Sequence, residues 1–228
     1  MKFKVPEDLQ DYVKHTKYCD VDSLEVRHKA ECLTEAATSP KEAAMKIFYF
    51  VRDEFLFGFT NVNEKASETL QGNLGWCVTK ANLQIALLRS IGIPARYHQV
   101  ALKKIALKGI ILNSLYKNME EKIWFHPWCE CFIDNKWIAC DLWIDKLTWE
   151  AAIKSGIYSK DFFPTVDWDG EHDLIIVNHW MLEDIGTHQT YVDIVDKVVA
   201  EMKIPAFLLN IAVKLSNRHT ARFRSKYS

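Results

Sequence analysis

The chain has 228 residues and sets 29 Lys and Arg against 30 Asp and Glu, for a net charge of -1. That balance gives no electrostatic reason to expect a nucleic-acid partner. Apolar residues make up 49%, including eight Trp and twelve Phe, enough for a large core in one domain with an appendage.

The first eight residues contain no apolar stretch of the kind that directs export, and no run of about 18 apolar residues exists. The best candidate, residues 204–215, is short and holds Pro205 and Asn210. A cytoplasmic protein without a membrane span is expected. Its six cysteines (Cys19, Cys32, Cys77, Cys129, Cys131 and Cys140) are then expected to be reduced. Cys129 and Cys131 share one strand face and read as core, because the usual C-x2-C zinc spacing is absent.

Residues 6–57 read as helical, with apolar side chains at helical spacing over 21–36. Ser39, Pro40 and Glu42 form a capping-box start with proline at the first helical position. The helix that follows, to about Phe55, carries Ala44, Ile47, Phe48, Val51 and Phe55 on one stripe. Residues 59–75 read as a loop broken by Asn61, Asn63, Gly72, Asn73 and Gly75. The clearest helix is Cys77–Ser90, closed by Gly92 and Pro94. Residues 95–102 read as a strand and 103–119 as an inserted helix.

Residues 123–133 and 136–144, aromatic and β-branched around Asp134 and Asn135, predict a β-hairpin. The tail reads as a helix at 149–155, a polar loop through Asp167, Trp168, Asp169 and Gly170, a strand at 174–177, and two helices split by Pro205. Helices first and a meander later imply an α+β fold.

Cys77 opens its helix, where free backbone N–H groups and the positive end of the helix dipole favour a thiolate and lower the thiol pKa. Gly72 and Gly75 upstream let the backbone approach a substrate carbonyl. A small buried residue at a helix start is the plain alternative. His126 precedes Pro127, which favours extended backbone, and shares a strand face with Trp128 and Glu130. With Asp134 and Asn135 as a two-residue turn, Asp141 sits opposite Trp128 and diagonal to His126 on the same face. Diagonal neighbours are about 7–8 Å apart at the backbone, within reach of two polar side chains. A core histidine satisfied by its neighbours is the default for any single His. A carboxylate beside it on an apolar hairpin is the arrangement that orients an imidazole for nucleophilic catalysis.

The segment Gly75-Trp76-Cys77-Val78-Thr79-Lys80-Ala81, continuing to Arg96 through Leu87, Leu88, Gly92, Ile93 and Pro94, resembles the nucleophile segment of transglutaminase-like proteins. His126-Pro127-Trp128-Cys129-Glu130 and Trp137-Ile138-Ala139-Cys140-Asp141 resemble that superfamily's histidine and aspartate strands. The similarity covers roughly residues 40–145, and Asp167-Trp168-Asp169-Gly170 adds a weaker echo of microbial members. The resemblance implies a papain-like fold with Cys77 as nucleophile, His126 as general base and Asp141 as orienter. It also places Gln71, six residues before Cys77, as an oxyanion donor beside the Cys77 backbone N–H. Trp76 and Trp128, with Trp143, are candidates to line a dry substrate channel, although aromatic residues usually fill cores.

The implied chemistry is acyl transfer from an amide or thioester carbonyl through a thioester on Cys77. A peptidase or amidase that hydrolyses the bond, and a catalytically silent binding module, are the other readings. Residues 1–148 are expected to form the catalytic core with its N-terminal helices, and 149–228 an extension packed on it. No cofactor or metal is expected. Asp167, Asp169, Glu171 and Asp173 do not follow the EF-hand spacing, and His172, His179 and His188 contain no i,i+4 pair. The basic end, with Lys214, Arg218, Arg222, Arg224 and Lys226, reads as a solvated tail or as a contact for a membrane surface or partner.

Overall fold

The computed structural model of the protein describes residues 3–192, 194, 195, 198 and 206–227. A 3-10 turn (Glu7–Val13) leads to α1 (Leu24–Thr34) and α2 (Pro40–Glu54). The start of α2 follows the expected chemistry, with Ser39 Oγ accepting from the Glu42 N–H at 3.1 Å. The reciprocal half is displaced by one residue. The Glu42 carboxylate accepts from the Thr38 N–H at 2.8 Å, not from Ser39. Ala44, Ile47, Phe48, Val51 and Phe55 are all buried, as the stripe required.

The expected loop at 59–75 holds α3 (Ala66–Leu70) and β2 (Leu74–Gly75), which pairs in parallel with β1 (Leu56–Phe57). Elements of five and two residues are too short to leave a periodic pattern.

The central element is α4 (Cys77–Ser90), packed between α1, α2 and α3 on one side and two long strands on the other. Its polar residues Thr79, Lys80, Asn82, Gln84 and Arg89 are buried along with its apolar ones. Such groups need partners. Asn82 Nδ2 donates to Tyr18 O at 3.0 Å and its Oδ1 accepts from Tyr97 OH at 2.7 Å. The Arg89 guanidinium donates to Ala95 O at 2.8 and 2.9 Å. Gly92, at φ +87°, then turns the chain out of the helix.

The main sheet contains β3 (Ala95–Lys103), β4 (Lys122–Ile133), β5 (Lys136–Cys140) and β6 (Met181–His188), all antiparallel in the order β5-β4-β3-β6. Asp134 and Asn135 both take left-handed φ values, 51° and 64°, the mark of a type I′ hairpin turn. That turn fixes the register from Ile133↔Lys136 to Cys129↔Cys140.

Three expectations need correction. The inserted helix at 103–119 is a 3-10 turn (Lys104–Leu107) and a short α5 (Asn113–Lys117), interrupted at Gly109, whose φ is +82°. The strand at 174–177 amounts to one bridge, Cys140↔Leu174. The strand that completes the sheet is β6, none of whose residues is fully buried, which leaves no apolar alternation to read. After β5 come α6 (Lys146–Lys154), capped by Asp145, and α7 (Ala206–Tyr227). The basic end is therefore an ordered helix, packed against α6. The helix expected before Pro205 lies largely outside the described residues. The whole is an α+β fold, as its sequence implies.

Candidate active site at the start of the central helix

Cys77 is the first residue of α4 and is half-buried. Burial, and next the negative charge of Asp141, push its thiol above the ordinary value. The backbone N–H groups of Val78 and Cys77 pull the other way without overcoming them. The expected lowering by the helix start is thus present but outweighed. A thiolate here requires a cation beside it.

The hairpin carries the group that can supply one. His126 on β4 is 3% exposed, and Asp141, one step past β5, is 1% exposed. His126 Nε2 lies 3.4 Å from Asp141 Oδ2. Extending the Cys129↔Cys140 register by one step sets Asp141 opposite Trp128 and diagonal to His126, the placement the two-residue turn predicted. The contact is long for a hydrogen bond. Asp141 is itself held: its N–H donates to Leu174 O at 2.9 Å and its Oδ1 accepts from the Trp143 N–H at 3.3 Å. With the acid at Nε2, the proton belongs on that nitrogen and Nδ1 is the basic one, an assignment made from the geometry.

Aromatic rings enclose the imidazole. Trp128 and Trp143 lie 6.2 and 6.3 Å from His126 between ring centroids. Trp76, next to Cys77, packs on Phe59 at 5.5 Å and Phe125 at 6.0 Å. All three tryptophans are buried, and their indole N–H groups have no hydrogen-bond partner among the described residues.

Gln71 sits at the C-cap of α3 with its side chain exposed. An oxyanion donor works in a water-excluded position, which Gln71 does not occupy. Gly75 has a different reason from the one its sequence suggested. An added Cβ would lie 2.6 Å from Lys80 Cγ, so the space is already filled by a lysine stem.

Sequence spacing gave no sign of two neighbours of the site. Lys80, one turn after Cys77, is fully buried, and its Nζ donates to Arg52 O at 3.4 Å. His98 on β3 stacks on Trp128 at 4.5 Å, with Nδ1 2.6 Å from Glu130 and Nε2 2.8 Å from Asp184. Burial pulls the His98 pKa down, but the two carboxylates outweigh it and raise it. Asp184 belongs to β6, the strand that left no periodic trace, so this cluster was not legible.

Cys129, Cys131 and Cys140 are buried free thiols, with Cys131 and Cys140 sulfurs 3.9 Å apart. In the tail loop Asp169 accepts from the backbone of Glu171 and His172 at 2.8 and 2.9 Å, closing a turn on itself. Trp168 packs on Phe48 at 5.4 Å. Among the described residues, no cluster of three or more His, Cys, Asp or Glu is arranged to hold a metal ion. Among them also, no helix is long and apolar enough to cross a membrane.

The sequence profile of the transglutaminase-like superfamily matches residues 27–142, from α1 to just past Asp141. No curated protein matches the chain. Among solved structures, a candidate cysteine protease from Cytophaga hutchinsonii superposes with a TM-score of 0.54 at 18% identity, over 83% of this chain and 50% of its own. The chain thus spans half the length of that neighbour, and the likeness is one of fold. Red sea bream transglutaminase aligns over 59% of this chain and 26% of its own, at 18% identity and a TM-score of 0.36.

Proposed function

We propose that this chain, which belongs to the transglutaminase-like superfamily, is a thiol-dependent acyl-transfer enzyme in which Cys77, His126 and Asp141 act as nucleophile, base and orienter. The observation that carries this reading is the contact of two buried polar side chains, His126 Nε2 and Asp141 Oδ2, at 3.4 Å on the hairpin beside α4. Burying an imidazole against a carboxylate costs desolvation, and such pairs concentrate at functional sites.

Each group's role follows from its surroundings. Asp141 fixes the Nε2–H tautomer, so Nδ1 takes the Cys77 proton. The resulting imidazolium offsets the burial and the Asp141 charge that otherwise hold the thiol neutral. The thiolate attacks an amide or thioester carbonyl, and the tetrahedral oxyanion accepts from the Cys77 backbone N–H. We assign the second donor to the Trp76 indole, which is buried, has no partner among the described residues and is adjacent in the chain to Cys77. His126 returns the proton to the departing amine or thiol, leaving the acyl group as a thioester on Cys77.

A second nucleophile then gives its proton to His126 and opens the thioester. An amine yields a new amide; water yields the acid. The rings around His126 favour the amine, because they keep bulk water from the thioester. Hydrolysis is the reading suggested by the Cytophaga neighbour's description as a protease. A fluorogenic amide assayed with and without a primary alkylamine separates the two. Faster release and an amine-bearing product support transamidation; unchanged rate and product mean hydrolysis. No release by the wild type, or equal release by Cys77→Ala, ends the enzyme reading.

A further inference from the structure

The outer face of α7 concentrates cations that the fold itself does not use. The helix contains Lys214, Arg218, Arg222, Arg224 and Lys226 and no Asp or Glu, in a chain whose net charge is -1. Arg224 points inward and donates to Phe57 O at 2.8 Å and Thr148 Oγ1 at 3.1 Å. Arg218 and Arg222, one turn apart, are exposed, and neither forms an ion pair among the described residues. Like charges at this spacing repel. The helix dipole accounts for a cation in the last turn such as Lys226, and not for Arg218 two turns earlier.

These cations border a groove. Two adjoining cavities of about 400 and 240 Å³ run along this face, and both are lined by His219 and Arg222. Among the described residues, no carboxylate lines either one. The floor is apolar, with Leu112 and Leu215 in one cavity and Ile157 and Phe223 in the other.

We propose that this groove binds an extended acidic peptide segment, with carboxylates on Arg218, Arg222 and Lys226 and apolar side chains on the floor. From Leu215 to Lys226 the helix advances about 16 Å, which an extended chain covers in roughly five residues. Cations spread along that length suit a row of carboxylates. Charge complementarity and shape therefore point to the same occupant.

The groove also has a route to the nucleophile. Asn217, on the same helix, accepts from the Phe59 N–H at 2.8 Å and donates to Phe59 O at 2.9 Å. Phe59 packs on Trp76 beside Cys77. A partner seated on α7 thus rests on the helix that holds this loop, although its binding needs no thiol chemistry.

Fluorescence anisotropy tests the proposal with a fluorescein-labelled peptide of alternating glutamate and leucine pairs, and with its glutamine counterpart. The acidic peptide is expected to bind wild type and Cys77→Ala alike, and to weaken as salt rises. The glutamine peptide, and the variant Arg218→Gln/Arg222→Gln, should each bind about ten-fold more weakly or worse. Arg218→Lys/Arg222→Lys, which keeps the charge, should retain most of the affinity; circular dichroism checks that each variant keeps its helices. Equal binding of the two peptides, or undiminished binding by the glutamine variant, overturns the proposal. So does capture of phosphatidylserine vesicles or a single-stranded oligonucleotide in preference to the peptide. Loss of catalysis in Cys77→Ala with binding intact separates this inference from the fate of the thiol mechanism.

Discussion

The stem of Lys80 occupies the space a side chain on Gly75 would need: a β-carbon there would sit 2.6 Å from Lys80 Cγ. The glycine that opens the nucleophile segment is therefore demanded by the buried lysine of α4. Gly75→Ala should destabilise the protein by roughly 1–3 kcal/mol through overpacking. In a Lys80→Ala background most of that cost should vanish, because the obstructing atoms are gone. Urea titration of the four proteins measures the coupling. Equal costs in both backgrounds would mean that Gly75 answers to something else.

Lys80 should itself be a liability at neutral pH. Burial lowers its pKa to about 8, with Asp145 and Asp53 partly offsetting the loss of water. The unfolded lysine keeps its proton to higher pH, so the unfolded state binds more protons between those values and stability rises there with pH. Below pH 8 the cost is fully present, at up to roughly 3 kcal/mol for a shift of this size. Lys80→Met is expected to be more stable than wild type at pH 7 and to lose that advantage by about pH 10.5. Denaturation at the two pH values checks it. A variant less stable than wild type at pH 7 would show that the buried charge is a net asset.

A different pH dependence is expected from the His98 cluster. Its imidazole has a raised pKa, so its contribution is fully present below the unfolded value near pH 6.5 and fades as pH rises through the folded one. Burial raises the Glu130 pKa, but His98 and Arg96 outweigh it and lower it. The Glu130 contribution is therefore present above about pH 4.5 and fades as pH falls below that. Wild type should exceed His98→Gln in melting temperature most clearly between about pH 4.5 and 6.5, with the gap closing above neutrality. A gap that stays constant to pH 9 would remove the charge from the account.

Trp76→Phe keeps an aromatic ring against Phe59 and Phe125 and removes the indole N–H together with part of the ring volume. If that group holds the oxyanion, kcat should fall by about 10²-fold with little change in KM. A loss in KM alone would place Trp76 in substrate binding. An unaffected kcat would send the assignment to another donor.

How much of this was readable in the chain depended on element length and on which strands touch. Cys77–Ser90 matches the expected helix end to end, because Gly92 and Pro94 bound it and its apolar residues recur along it. The hairpin turn was equally legible: Asp134 and Asn135 tolerate positive φ, and counting outward from them sets Asp141 opposite Trp128 and diagonal to His126. Gln71 misled because an offset in sequence says nothing of exposure, and a five-residue α3 turned its side chain to solvent. Lys80 and His98 were missed for one reason. Their surroundings come from segments far apart in the chain, α2 and the Asp145 turn in one case and β6 in the other. Local pattern carries no record of such meetings.

The most direct test of the central claim is the rate at which iodoacetamide alkylates Cys77 near pH 6, read by peptide mass spectrometry with exposed Cys32 as the internal reference. The account predicts that Cys77 reacts at least about ten-fold faster than Cys32, because His126 supplies the charge that burial and Asp141 deny it. In His126→Ala that advantage should reverse, leaving Cys77 the slower thiol. Cys77 slower than Cys32 in the wild type, and unaltered by the loss of His126, would contradict it.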